Sequence, residues 1–432
     1  MNAGSRPSRF AGMPNLKYLP NGRFRAKSNV LWAYCVVGEM DGSDTFPQRD
    51  ADTRSMNHGH GLQMHRRFQN GLALLVLVNL FGCGGLTPSV PAPDVVLVFN
   101  VNEPAEAVAL DDAPTFASAP IAATIEGKSG SHAATILALD EGELLAGWYS
   151  YEGPHELDGS AVYLARRRIG ASAWDPPILH RATAGGIGNP VLYAEGDRVW
   201  LFQAVVAGGW STSSIEFQVS DDRGLTWSSP FRIAGPLGSN VHAPPLRTRD
   251  GLLLLPAYDD LLQRCLFFTS SDGLSWELNS VVATSWPHQA IQPASVVLES
   301  GRLLAVMRNV GKGWLWVMAS DDGGTRWSEP MDSGFPNPAS PAALLRLSQG
   351  CLLMVYNDSD TERRPLSVAL STDDGRTWPY RRVLADGEST YSYPAVAQAP
   401  DGMIHVAYSY GREHIEHASF NLAWVVEAGP LQ

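Results

Sequence analysis

One short turn sequence recurs in this chain at a nearly constant spacing, and a repeat of that length leaves few folds open. Residues 220–227 read SDDRGLTW, 320–327 read SDDGGTRW and 371–378 read STDDGRTW, with a worn copy, TSSDGLSW, at 269–276. Trp174, Trp227, Trp276, Trp327 and Trp378 stand 53, 49, 51 and 51 residues apart, and Trp174 is all that survives of a first copy. A second signal is independent of the first: turn glycines followed by a strand-like run occur at Gly142, Gly196, Gly251, Gly301, Gly350 and Gly402. Together they make six units. Each unit alternates short Val/Leu/Ala/Tyr-rich runs with Gly/Asp turns, the pattern of hairpin-connected strands. A period near 50 fits a four-stranded propeller blade, and radial closure protects the edges of such sheets. The expected fold is therefore all-β, a six-bladed β-propeller over residues 114–424 with a short tail at 425–432. An N-terminal strand near residues 114–126 is expected to pair with the last blade and close the ring. In each S-x-D-x-G-x-T-W turn, Ser and Asp cap backbone amides, Gly takes a positive φ and Trp plugs the blade seam. These turns are structural, with no catalytic role.

Composition narrows the function. The 432 residues carry a formal net charge of -12, which excludes nucleic-acid binding through a basic footprint. Hydrophobic residues at 44% supply a large core. Cys35, Cys83, Cys265 and Cys351 form neither a CxxC pair nor a zinc spacing, and Cys265 and Cys351 read as small core residues. No P-loop, G-x-G-x-x-G after a strand or H-E-x-x-H occurs, so no cofactor or metal is expected. His414 and His417, in HIEH, read as an exposed strand end.

Residues 64–83, MHRRFQNGLALLVLVNLFGC, have the order of a secretory signal: arginines, an apolar run at 71–81, then the small residue Gly82 before Cys83. The run is too short to span a bilayer permanently. It resembles a bacterial lipoprotein signal, which implies lipidation of Cys83 and a periplasmic, outer-membrane or cell-surface location, with membrane contact only through the lipid. Export machinery reads a true N-terminus, so residues 1–63 are expected to be an upstream extension foreign to the mature protein. Residues 84–113, opening GGLTPSVPAPD, read as a tether.

Beyond the turns, SHAATILALDEGELLAGWYSYEGPHELDGSAVYLARR, IQPASVVLESGRLLAVMRN and YSYPAVAQAPDGMIHVAYSYGREHIEH resemble the sialidase (neuraminidase) superfamily in its BNR-repeat branch, over about residues 114–424. The resemblance implies three arginines on a sialate carboxylate, a Tyr nucleophile assisted by a Glu, and an Asp as acid/base. A neutral phenol suits an anomeric carbon that already bears a carboxylate, and such enzymes depart from the two-carboxylate scheme. Carried onto this chain, it gives Asp158 as acid/base, Tyr391 as nucleophile, Arg308 as the second arginine and Arg363 or Arg364 as the third. Two positions depart from the pattern: His132 stands where the first arginine is expected, and Gln292 where the assisting Glu is expected. Gln cannot accept a proton. His132 suits an anion when protonated and a sugar hydroxyl when neutral.

The residues also speak without the resemblance. Tyr149, Tyr258, Arg308, Asn357 and Ser409 each lie seven positions past a turn glycine. Equal offsets in equivalent blades gather them on one face as a polar, aromatic ring suited to a sugar. Two function classes follow. One is an exo-acting sialidase-type glycosidase on terminal acidic sugars, or a variant hydrolase or lyase for another glycan. The other is a surface glycan-binding lipoprotein with a degenerate site. The expected partner is a glycan, and the expected state a monomer.

Overall fold

The structure is a computed structural model that describes residues 112–429. The leader at 64–83 with Cys83, the upstream residues 1–63 and the linker up to residue 111 lie outside the described residues.

The chain folds as six antiparallel sheets set as the blades of a propeller, as the repeats required. The innermost strands are Gly130–Ala138, Ile187–Glu195, Ser239–Val241, Ala290–Val297, Ala343–Arg346 and Tyr391–Gln398. Each is followed outward by three more strands; the third blade carries an additional short one, Leu246–Arg247. Central strands such as Leu352–Asn357 and Leu366–Ser371 are buried along their whole length. A blade wedged between two others has no wet face, so its middle strands read as continuous apolar runs instead of alternating.

The last sheet closes the ring. Its outermost strand is Phe116–Ala122, paired antiparallel with His414–Phe420 so that Phe116 faces Phe420. Pro120 is tolerated there because an edge strand has a row of amides without ladder partners. Beyond it, helix Leu422–Glu427 is capped by the Asn421 side chain, which accepts from Trp424 N. Trp424 stacks on Phe116 at 4.7 Å, so residues 425–427 belong to the folded body and not to the expected tail.

The repeated turns behave as their chemistry requires. In the 371–378 copy, Ser371 Oγ accepts from Gly375 N at 2.9 Å and Asp373 Oδ1 from Thr377 N at 2.9 Å. Trp378 donates to Gly375 O at 3.1 Å and is wholly buried. Gly375 has φ +82°, and a Cβ there would stand 3.0 Å from Leu304 of the preceding blade. Both facts demand glycine. In the worn copy, the backbone N–H groups of Ser275 and Leu274 lead in holding the Asp272 carboxyl down to about 2.

The first blade keeps only Trp174, and the seam there differs. Trp174 Nε1 donates to His417 Nδ1 (3.4 Å), and His417 Nε2 lies 3.1 Å from His405 Nδ1. His417 is 6% exposed, which corrects the expected exposed strand end: its side chain points between sheets. Among the described residues, no helix is long and apolar enough to cross a membrane.

Candidate active site

Each innermost strand begins at one end of the ring, and there five blades carry a non-glycine residue of positive φ: Ala133, Asn189, Gln292, Ala339 and Tyr393. In four of them the ladder slips at the same place, between His132 and Thr135, Gly188 and Val191, Ile291 and Ala294, and Ser392 and Ala395. Such a bulge re-aims a side chain that a regular pleat would send into the blade.

Tyr393 therefore stands at the centre of a cluster. Its Oη accepts from Gln292 Nε2 (3.3 Å) and Arg308 Nη1 (3.4 Å). Its ring centroid lies 4.3 Å from that of His132 and 5.3 Å from that of His242, with the Arg363 guanidinium 5.6 Å away over its face. Arg308 also donates to Gln292 Oε1 (3.1 Å), which turns the Gln292 amide nitrogen toward Tyr393 and Tyr258 Oη (3.3 Å). Asn189 Nδ2 completes the floor on Tyr258 Oη at 3.2 Å.

Tyr391, the expected nucleophile, is elsewhere. Its ring packs in an apolar cluster with Tyr408 and Tyr410, and its carbonyl accepts from Asn357 Nδ2 at 2.8 Å. Asn357 is thereby spent on backbone and leaves the expected ring of ligand groups. The adjacent arginines also separate. Arg363 lies over Tyr393 and donates to Ala339 O, whereas Arg364 turns outward to Glu362 (2.6 Å). Asp158 is exposed on the 152–159 loop, its Oδ2 accepting from His155 N (3.2 Å). His132, Tyr149, Tyr258, Arg308, Gln292 and Ser409 are gathered as expected.

Three further groups were not singled out from sequence. Glu156 accepts from Tyr149 Oη (3.2 Å), Trp210 Nε1 (2.8 Å) and Arg412 Nη1 (2.8 Å), joining blades one, two and six. Asp260 receives Ser211 Oγ at 3.4 Å, and burial, partly offset by Ser211 and Arg308, raises its carboxyl above the usual range. His242 is the third, and burial followed by Arg308 brings it down to about 3.

His132 is neutral, since burial first, then Arg412 and Arg363, push it well below its ordinary value. Its Nδ1 lies 2.9 Å from Ser409 Oγ, which already accepts from Ala133 N (3.1 Å). The other ring nitrogen, Nε2, is a buried atom with no partner. Arg308 Nε and Asn240 Nδ2 are likewise buried without partners. The site thus converges hydrogen-bond donors with few acceptors. Among the described residues no cluster of three His, Cys, Asp or Glu could hold a metal.

A cleft of about 1120 Å³ lies on the opposite end of the ring between repeated turns. Its carboxylates Asp321, Asp322 and Asp374 are already engaged by Arg302, Arg326 and Arg346.

A family model described as a BNR repeat-like domain matches residues 142–406, more than half of the chain. A sialidase of Micromonospora viridifaciens is 25% identical over 277 residues, 60% of this chain and 38% of that protein. A sialidase of Bacteroides fragilis (strain YCH46) is 22% identical over 313 residues, 62% of this chain and 57% of that one. The chain thus spans well under two thirds of either relative. Among solved structures, the Hadza microbial sialidase Hz136 superposes with a TM-score of 0.61 at 20% identity, covering 70% of this chain and 67% of that one. At that identity the likeness speaks for the fold.

Proposed function

The chain belongs to the BNR repeat-like domain family, and from that premise we propose that it is an exo-acting glycoside hydrolase releasing a terminal acidic sugar, with Tyr393 as nucleophile. One observation carries the proposal. Arg308 and Arg363 flank Tyr393, and neither has a carboxylate partner among the described residues. Half-buried guanidiniums that meet only neutral carbonyl and phenol oxygens suit an anion, and a sugar carboxylate supplies one. A phenol is the suitable attacking group at a carbon bearing that carboxylate. The phenol proton passes to water as the Tyr393 oxygen bonds to the anomeric carbon and the glycosidic bond breaks, and the N–H groups of Gln292 and Arg308 stabilise the negative charge developing on that oxygen. The acid/base role falls to Asp158, carried on the loop that Glu156 fastens to its neighbours.

Gln292 favours a second reading. Its amide donates to both phenols and accepts no proton, an arrangement that also suits binding without turnover. For both readings we propose an exported lipoprotein anchored at Cys83, on the strength of the apolar run at 71–81.

The test is the full chain against fluorogenic sialosides, glucuronides and neutral glycosides. Release from acidic substrates alone, lost in Tyr393→Phe and retained in Tyr391→Phe, is the expected result. Turnover retained in Tyr393→Phe overturns the nucleophile, and calorimetric binding of acidic sugars without any turnover selects the second reading.

A further inference from the structure

The loops around the candidate site are divided by chemistry. Four large apolar side chains are exposed on this end of the ring, and all belong to blades three and four: Leu237 (58%), Leu261 (50%), Leu262 (60%) and Trp286 (81%). The other exposed large apolar residues, Leu225, Ile178 and Val383 among them, lie on outer strands or on turns at the opposite end. Blades five, six and one instead surround the site with Arg363, Arg412 and Glu156.

The loops that carry these apolar side chains lead directly into elements of the site. Leu237 precedes the strand Ser239–Val241, which leads directly to His242. Leu261 and Leu262 follow Asp260 in one hairpin, and Asp260 senses both Arg308 and Glu156. The two loops touch, since Asp260 N donates to Gly238 O at 2.9 Å and a Cβ on Gly238 would stand 3.0 Å from Leu261 Cβ. Trp286 lies in the segment entering Ala290–Val297, the strand of Gln292, and the neighbouring Pro287 backs onto Gly311 of the Arg308 hairpin. An exposed apolar rim beside a polar site marks a place where something apolar is covered.

We propose that the substrate is amphipathic: its acidic sugar enters between Arg308 and Arg363, and its aglycone is an alkyl or acyl chain laid over Leu237, Leu261, Leu262 and Trp286. This rests on the acidic-sugar proposal above and adds the nature of the group beyond the bond to be cleaved. Three of the four are leucines, which offer no stacking plane for a second sugar but shed water against methylene groups, as the Trp286 indole also does. The occupant is linked to the sugar because the rim begins within a few residues of the site on every loop that forms it.

The test compares methyl and octyl α-glycosides of N-acetylneuraminic acid, and the same pair of glucuronic acid, by calorimetry on the full chain. The octyl glycoside is expected to bind about ten-fold tighter or more, since each methylene removed from water adds to affinity. In Trp286→Ser, and in Leu261→Ser with Leu262→Ser, that octyl-to-methyl ratio should fall toward one. These side chains are largely exposed, so thermal midpoints should stay near the wild-type value. Arg363→Ala should weaken both glycosides together and leave the ratio intact. A wild-type ratio near one overturns the amphipathic substrate while leaving the acidic-sugar proposal standing. Failure of every methyl glycoside to bind overturns the acidic-sugar proposal instead, and failure of both octyl glycosides overturns this one. Co-sedimentation of the wild type with sugar-free phosphatidylcholine vesicles would also overturn it, assigning the rim to a membrane surface.

Discussion

The two ends of the ring treat polar groups in opposite ways. At the end formed by the repeated turns, the Ser, Asp and Trp side chains bond within a few residues, as Ser371, Asp373 and Trp378 do with their own turn. At the other end, His132 Nε2, Arg308 Nε and Asn240 Nδ2 are buried with nothing to bond. Local closure of hydrogen bonds contributes stability, whereas an unpaired buried polar atom costs stability and is kept where a ligand completes it. The first end holds blades in place and the second is left unfinished.

Substitutions can break that contrast. The largest effect is expected from Tyr393→Phe, which should lower kcat on an acidic glycoside by on the order of a thousand-fold with little change in KM, because the lost group acts in the transition state. Stopped assays on the purified variant check it, and an unchanged kcat would disprove the division drawn here. Trp378→Ala should do the reverse, costing about 3–5 kcal/mol of stability with the site untouched in any protein that remains folded. Denaturant melts read this directly. Arg363→Ala should weaken binding of an acidic sugar by about 2–5 kcal/mol, while its neighbour Arg364→Ala stays within about 0.5 kcal/mol in both binding and stability. Equal losses at the two positions would show that they are not divided between site and solvent.

A smaller effect concerns the seam beside Trp174. Burial is the first cause bringing His405 to about 4 and His417 to about 3, with Arg167 adding to both and Asp401 opposing at His405. An unfolded histidine titrates near 6.5, so below that pH the unfolded chain binds more protons than the folded one. This contribution is therefore intact above about pH 6.5 and is lost as pH falls toward 4, by up to about 1.4 kcal/mol per pH unit for each ring. Thermal midpoints measured from pH 8 to 4 should show the decline, and His417→Gln should lessen it, with His132 and His242 keeping their own share. An equal slope in the variant would remove the histidine pair as its source.

How far the sequence could be read follows the same division. The repeated turns announce themselves because their function is local: a Ser, an Asp, a Gly and a Trp at fixed offsets. The site is assembled from bulges, and a bulge upsets the count by twos that strand reasoning relies on. Ser392 pairs Ser409, yet Ala395 pairs Ala407, so an additional residue enters at Tyr393 and Pro394. The resemblance carried the nucleophile onto Tyr391, which lies inside the blade. A better signal was present: Ala133, His242, Gln292 and Tyr393 each stand nine positions before a turn glycine. Placing Gln292 in the site commits Tyr393 to it. Glu156 and Arg412 had no such marker, being set on loops whose spacing follows no period.

The strand pairing that closes the ring also orders the protein's synthesis. Ser118 Oγ donates to Glu416, 298 residues further on, so almost the whole body must leave the ribosome before the first strand of the propeller meets its mate. Until then Phe116–Ala122 is an orphan strand and the nascent blades are an open stack with two raw sheet margins. Contacts of such separation slow folding, and unpaired margins invite pairing with other chains. Newborn chains should therefore be most vulnerable to aggregation late, in the interval before residues 414–420 emerge. Polypeptides cut short after Tyr391 should be cleared as waste instead of persisting as smaller propellers.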